Sequence, residues 1–263
     1  MTTESNDGTN TDPAMKHPNT SLRVRDILKT TGMRIRQDPV LCAPFAIVGL
    51  LVSVADWLRK QDPLPVTTPN WFEQTLTVQY SIFPMETART VRRIDALFDL
   101  RLPYFLGAVT LELLVLLSVG VAGWMTITRA LDGERRLDSL IRYLGILSMM
   151  VVFARLLGSP TLNIGSLPLG ALVLFVVALV LIRLFLFPGL LAAGYQFTTA
   201  LKKSVRTSQG KQWTLFWLIV IIGLASGGLA HVPIAGGFLS AAVVAPIHAI
   251  SLAILIQHDE RYE

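Results

Sequence analysis

The chain holds one cysteine, Cys42, in 263 residues. A single thiol excludes an intrachain disulfide framework and a multi-cysteine metal site. A lipid-modified cysteine is not favoured either, because Leu41 stands where that signal takes a small residue. Charge is scarce too: 16% of the residues are Asp, Glu, Lys or Arg, against about 25% in a soluble domain. A phosphate-binding loop is missing. Around Gly210-Lys211 the first glycine of that motif is replaced by Val205 and its Ser/Thr by Gln212. No Ser-His-Asp set, paired carboxylates or H-E-x-x-H helix is visible, so a chain without catalytic site, cofactor or metal is expected.

Apolar residues are what the sequence has. They make up 52% of it, and the mean hydropathy is +0.55. A spanning helix needs ~20 of them in a row. Six runs meet that need, at about 40–58, 104–127, 141–158, 166–187, 212–230 and 234–256. The fold class expected is all-α: a polytopic membrane helix bundle of about six transmembrane helices with a short α/β external loop at 59–103. Within that loop TLTVQYSIF alternates like a strand, while 86–100 returns to helical period through Val91, Ile94, Leu97 and Phe98. Pro188 is expected to kink or end the fourth helix.

The flanks set the orientation. Residues 1–20 are polar without period and read as a disordered cytoplasmic tail. Residues 21–38 read as a basic amphipathic interfacial helix. Val24, Ile27, Leu28 and Ile35 share one face, and Arg23, Arg25, Lys29, Arg34 and Arg36 lie on others. An ordinary positively charged flank is the alternative. Short loops after the second and fourth spans are also basic, whereas the linkers 159–165 and 231–233 carry no Lys or Arg. Both termini are therefore expected in the cytoplasm of a cell-membrane protein. The net charge of +5 then reports anionic lipid headgroups as partner rather than nucleic acid. A cleavable signal ending at Ser53-Val54-Ala55 is not favoured, because the polar region before it is too long.

The stretch ALKKSVRTSQGKQW, 200–213, reads as a cytoplasmic hinge. Lys202, Lys203 and Arg206 are placed at the lipid interface, and Gly210 suits a left-handed helix cap. The larger block IRLFLFPGLLAAGYQFTTALKKSVRTSQGKQWTLFWLIVII resembles uncharacterised archaeal multi-pass proteins similar to the membrane domain of glycerophosphoryl diester phosphodiesterases. The likeness covers about 182–257. It implies a six-helix bundle and no activity, since the soluble domain that would carry that enzyme's chemistry is missing.

Ionisable residues inside spans are the usual functional candidates of a membrane protein. Here they are Asp56, Glu112, Arg155, Arg183 and His248. Asp56 is expected to reach water at the outer end of the first span. Glu112 lies about 12 Å below the outer face at 1.5 Å per residue, and Arg155 is its expected partner. Arg183 is placed to hold carbonyls freed by Pro188 or to reach lipid phosphate. His248 is expected to make an interhelical hydrogen bond, too far from His231 to share a metal. Gly223-x-x-x-Gly227 and Gly236-Gly237-x-x-Ser240-Ala241 are expected to pack the last two helices together. A structural or membrane-organising component is the function expected. The alternative is a permease-type subunit working with a separate ATPase, with 22–36 or 189–207 as coupling helix.

Overall fold

In the computed structural model the described residues are 23–61, 66–67, 81–85, 91–92, 102–156, 167–230, 232 and 235–261. The N-terminal tail and the linker 159–165 lie outside them. The chain forms a helical bundle. Its helices are α1 (Val24–Gln37), α2 (Ala43–Gln61), α3 (Leu102–Ala130), α4 (Leu137–Leu156), α5 (Leu167–Leu184), α6 (Phe187–Ala192), α7 (Phe197–Thr207) and α8 (Gln212–Ala230). The last is α9 (Gly236–Leu239), which passes through a π-helical turn at Ser240–Val244 into α10 (Ala245–Glu260). A 3₁₀ turn, Pro39–Cys42, leads into α2.

Five stretches among the described residues are long and apolar enough to cross a membrane: Pro39–Arg59, Leu102–Ala130, Phe175–Ala192, Gln212–Ala230 and Gly236–Glu260. The third expected span is α4, a 20-residue helix. It returns antiparallel along α3, with Trp124 Nε1 donating to Ser139 Oγ at 2.9 Å and Gly120 packed under Leu144 and Leu147.

The final span is the hub. Its apolar stretch is 78% buried inside the protein, against 33% for Leu102–Ala130. Apolar residues on all its faces make a helix that is buried all round. Ala249, Ile250, Leu252 and Ala253 are fully enclosed. Close approach is what holds such helices together, because lipid supplies no hydrophobic drive between them. Gly49 shows the tightness: a Cβ there would stand 3.1 Å from the Phe238 ring and 3.2 Å from its carbonyl oxygen. The small-residue runs pack as expected in part. Ser226 Oγ and Ser240 Oγ are 2.9 Å apart, but Gly237 faces Val52 and Asp56 of α2 rather than α8.

Pro188 ends the fourth helix, one of the two outcomes expected of it: helix stops at Leu184, Phe185 and Leu186 form a turn, and Pro188 sits in the first turn of α6. Proline cannot bond the Leu184 carbonyl but fits a helix start, so the break precedes it. Residues 187–192 are buried in the bundle. In the 59–103 connection, Val91 and Arg92 form a short antiparallel pair with Thr67 and Val66, where helical period was expected. Most of the expected strand, 75–80, lies outside the described residues.

Ser81–Met85, at the end of that strand reading, form an irregular segment packed into the bundle. Ile82 and Phe83 are 5% and 2% exposed. The Phe83 ring meets Tyr143 edge-on at 5.1 Å, and Pro84 Cγ lies 3.4 Å from where a Gly123 Cβ would be. Gly123 stands about 31 Å along α3 from Leu102 at 1.5 Å per residue. Part of a connection read as external therefore reaches deep between the helices. Non-helical backbone at such depth is tolerated where protein encloses it.

Candidate functional site

One end of the bundle collects its basic elements. Arg34 of α1 donates to Gln257 Oε1 at 2.7 Å and to Asp132 Oδ2 at 3.3 Å. Lys211 Nζ reaches Asp259 Oδ1 at 3.1 Å, and Thr207 Oγ1 donates to Asp259 Oδ2 at 2.6 Å. Arg129 grips both oxygens of Asp38, at 2.7 and 3.2 Å. That guanidinium holds the Asp38 carboxyl below its ordinary range. Helix α1 seats Ile27 in the core with Val24, Leu28 and Ile35 beside it, as its period indicates. Arg23, Arg25, Lys29 and Arg36 stay exposed, and Arg34 is drawn inward. Helix α7 buries Ala200, Ser204 and Thr207 and leaves Lys202 and Arg206 outside. Lys203 lies half-buried over the Tyr195 ring, 5.1 Å from its centroid. Gly210 closes the hinge with φ of +80°, the left-handed conformation that a side chain would resist.

Toward the other end lies a buried charge cluster. Asp56 and Arg59 are three residues apart on α2, on one face of the helix. Arg59 Nη1 donates to Asp56 Oδ1 at 2.9 Å, and Nε donates to Glu112 Oε1 of α3 at 2.9 Å. The side chains are 4% exposed for Arg59, 10% for Asp56 and 14% for Glu112. Gly237 lies against this cluster: a Cβ there would stand 3.5 Å from Asp56 Oδ2. The glycine lets α9 lie on the carboxylate, with the π-helical turn following at Ser240. A guanidinium shared between carboxylates of two helices fixes their register.

Several site expectations move. Asp56 does not reach water; it is 7% exposed. Glu112 accepts from Arg59, a partner that was not expected. The side chain of Arg155, on α4, lies outside the described residues. Arg59 was missed because it stands where the first apolar run gives way to the connection. Its signal was the Asp56-x-x-Arg59 spacing. Arg183 does not serve the Leu184 carbonyl. Its Nη1 donates to the carbonyl of Val205, in the last turn of α7, at 3.2 Å, and Ser204 Oγ returns a bond to the Arg183 carbonyl at 2.7 Å. The two helices lie side by side there, and a C-terminal carbonyl attracts a cation. His248 is buried on α10, its ring stacked 5.3 Å from Phe185 at the helix break. Among the described residues no group of three His, Cys, Asp or Glu side chains is placed to hold a metal ion.

Comparison with protein-family models, with curated proteins and with solved structures gave no match. The likeness of 182–257 to a known membrane domain therefore rests on the quoted residues alone.

Proposed function

We propose that this chain is a six-span cell-membrane protein with both termini in the cytoplasm, working as a structural component that organises lipid around a basic cytoplasmic face. The observation that supports this reading is the pair α1 and α7. At the same end, α1 seats Ile27 and Thr31 and α7 seats Ala200, Ser204 and Thr207 in the bundle, and both turn cations outward. The exposed set is Arg23, Arg25, Lys29, Arg36, Lys202 and Arg206. A cation near an anionic leaflet is worth about 1 kcal/mol, so a fixed group of them concentrates anionic lipid. The test uses the full chain in vesicles of mixed phosphatidylglycerol and phosphatidylcholine, with spin-labelled lipid reporting contact. Enrichment of the glycerol lipid should fall when the six cations become Gln and when salt is raised. Equal lipid contact in that variant would refute the reading.

A second reading, a permease-type subunit, draws on the Asp56–Arg59–Glu112 cluster beside a π-helical turn. Intramembrane charges mark ion and substrate paths, and π turns recur at functional sites. Its test is co-purification: an ATPase recovered with the wild type, and lost when the outward face of α7 is neutralised, would favour it.

A further inference from the structure

A cavity of about 440 Å³ opens at the basic end of the bundle. Three chain segments enclose it: the α3–α4 turn, the α6–α7 turn and the end of α10. Its inner wall is apolar, from Leu131, Ala192 and Ile256. Its mouth carries Glu134, Arg136 and Glu260, all exposed, with Tyr195 between the elements. Tyr195 Oη donates to Glu260 Oε1 at 3.3 Å and accepts from Lys203 Nζ at 3.3 Å. The Tyr195 carbonyl accepts from Arg142 Nη1 at 3.4 Å.

The space exists for a local reason. Gly133, Ala192, Ala193 and Gly194 all line it, and none carries a side chain beyond Cβ. Gly194 has φ of +97°, so a larger residue is strained there. The volume falls among pockets that hold small ligands, about 300–1,000 Å³. The cavity also adjoins the Arg34–Asp132 and Lys211–Asp259 ion pairs, since Asp132 precedes Gly133 and Asp259 precedes Glu260, and on the membrane reading proposed above that puts it among lipid headgroups.

We infer that this cavity binds a phosphate ester that carries an ammonium group. Arg136 at the mouth faces the phosphate, a charge-assisted contact that a guanidinium makes well, while Arg142 and Lys203 add positive charge through their bonds to the lining residue Tyr195. Glu134 and Glu260 face the ammonium. The mixture of signs is what selects. A purely anionic headgroup meets the two carboxylates, and a purely cationic ligand meets Arg136. The selectivity differs from that of the anionic-lipid reading above and stands or falls separately from it. The chemistry fits a phosphoethanolamine lipid headgroup or the free phosphoamino alcohol.

The test uses the full chain, stripped of lipid in detergent and offered equal phosphatidylethanolamine and phosphatidylglycerol in native mass spectrometry. One ethanolamine lipid should be retained about tenfold more strongly than the glycerol lipid. Ala193→Trp, at an exposed position of the mouth, should lose that preference, and Glu134→Gln should level the two lipids. Free phosphoethanolamine that displaces the lipid would assign the soluble ester; failure to displace it would assign the lipid. Equal retention of both lipids by the wild type, or an unchanged preference in both variants, would overturn the inference.

Discussion

Arg59→Met tests the buried cluster most sharply. Arg59 makes two charge-assisted hydrogen bonds, each 2.9 Å long, from a side chain 4% exposed. Bonds to charged groups contribute about 1.5–3 kcal/mol each. Methionine keeps much of the volume but removes both donors, leaving Asp56 and Glu112 without the guanidinium between them. Breaking a buried pair from one side costs about 3–5 kcal/mol, whereas replacing the whole group by neutral residues is often neutral or better. The single variant should therefore lose about 3–5 kcal/mol, and the triple variant Asp56→Asn, Arg59→Met, Glu112→Gln should recover most of it. Reversible unfolding in mixed detergent and SDS measures both. A triple variant as unstable as the single one, or a single variant within about 0.5 kcal/mol of wild type, would refute the argument.

Tyr143 Oη is fully buried and has no hydrogen-bond partner among the described residues. An unmade bond costs about 1–3 kcal/mol, so Tyr143→Phe should be neutral or stabilising in the same unfolding assay. A bifunctional thiol reagent should join cysteines placed at Pro84 and Gly123 in a Cys42→Ala, Tyr143→Phe background; no cross-link would remove Ser81–Met85 from the bundle. Asp38 has its folded pKa below the ordinary aspartate value of 3.8, so its pairing adds stability above that value and loses it as pH falls through the lower, folded one. Asp38→Asn should therefore flatten the acid limb of stability below about pH 4, measured by thermal unfolding against pH.

The pattern of apolar runs alone determined a helical bundle, because backbone in lipid must bond within its own helix and only long apolar helices allow that. The period of 22–36 likewise identified the seated face of α1, since three or four residues return a side chain to the same side. The left-handed site at Gly210 was legible from residue type. Partnership was not. Which cation meets Glu112 depends on α2 and α3 running antiparallel with Arg59 level with Glu112, and nothing local to either residue encodes that level. The same holds for Arg183, whose side chain crosses to α7 because Ser204 and Val205 lie alongside. Residues 81–83 read as the end of a strand in an external connection, yet Gly123 on α3 leaves the space that Pro84 approaches. A vacancy on one helix and a short apolar segment elsewhere acquire meaning only when the chain brings them together, and distance in space, not position in sequence, decides which charges and surfaces pair.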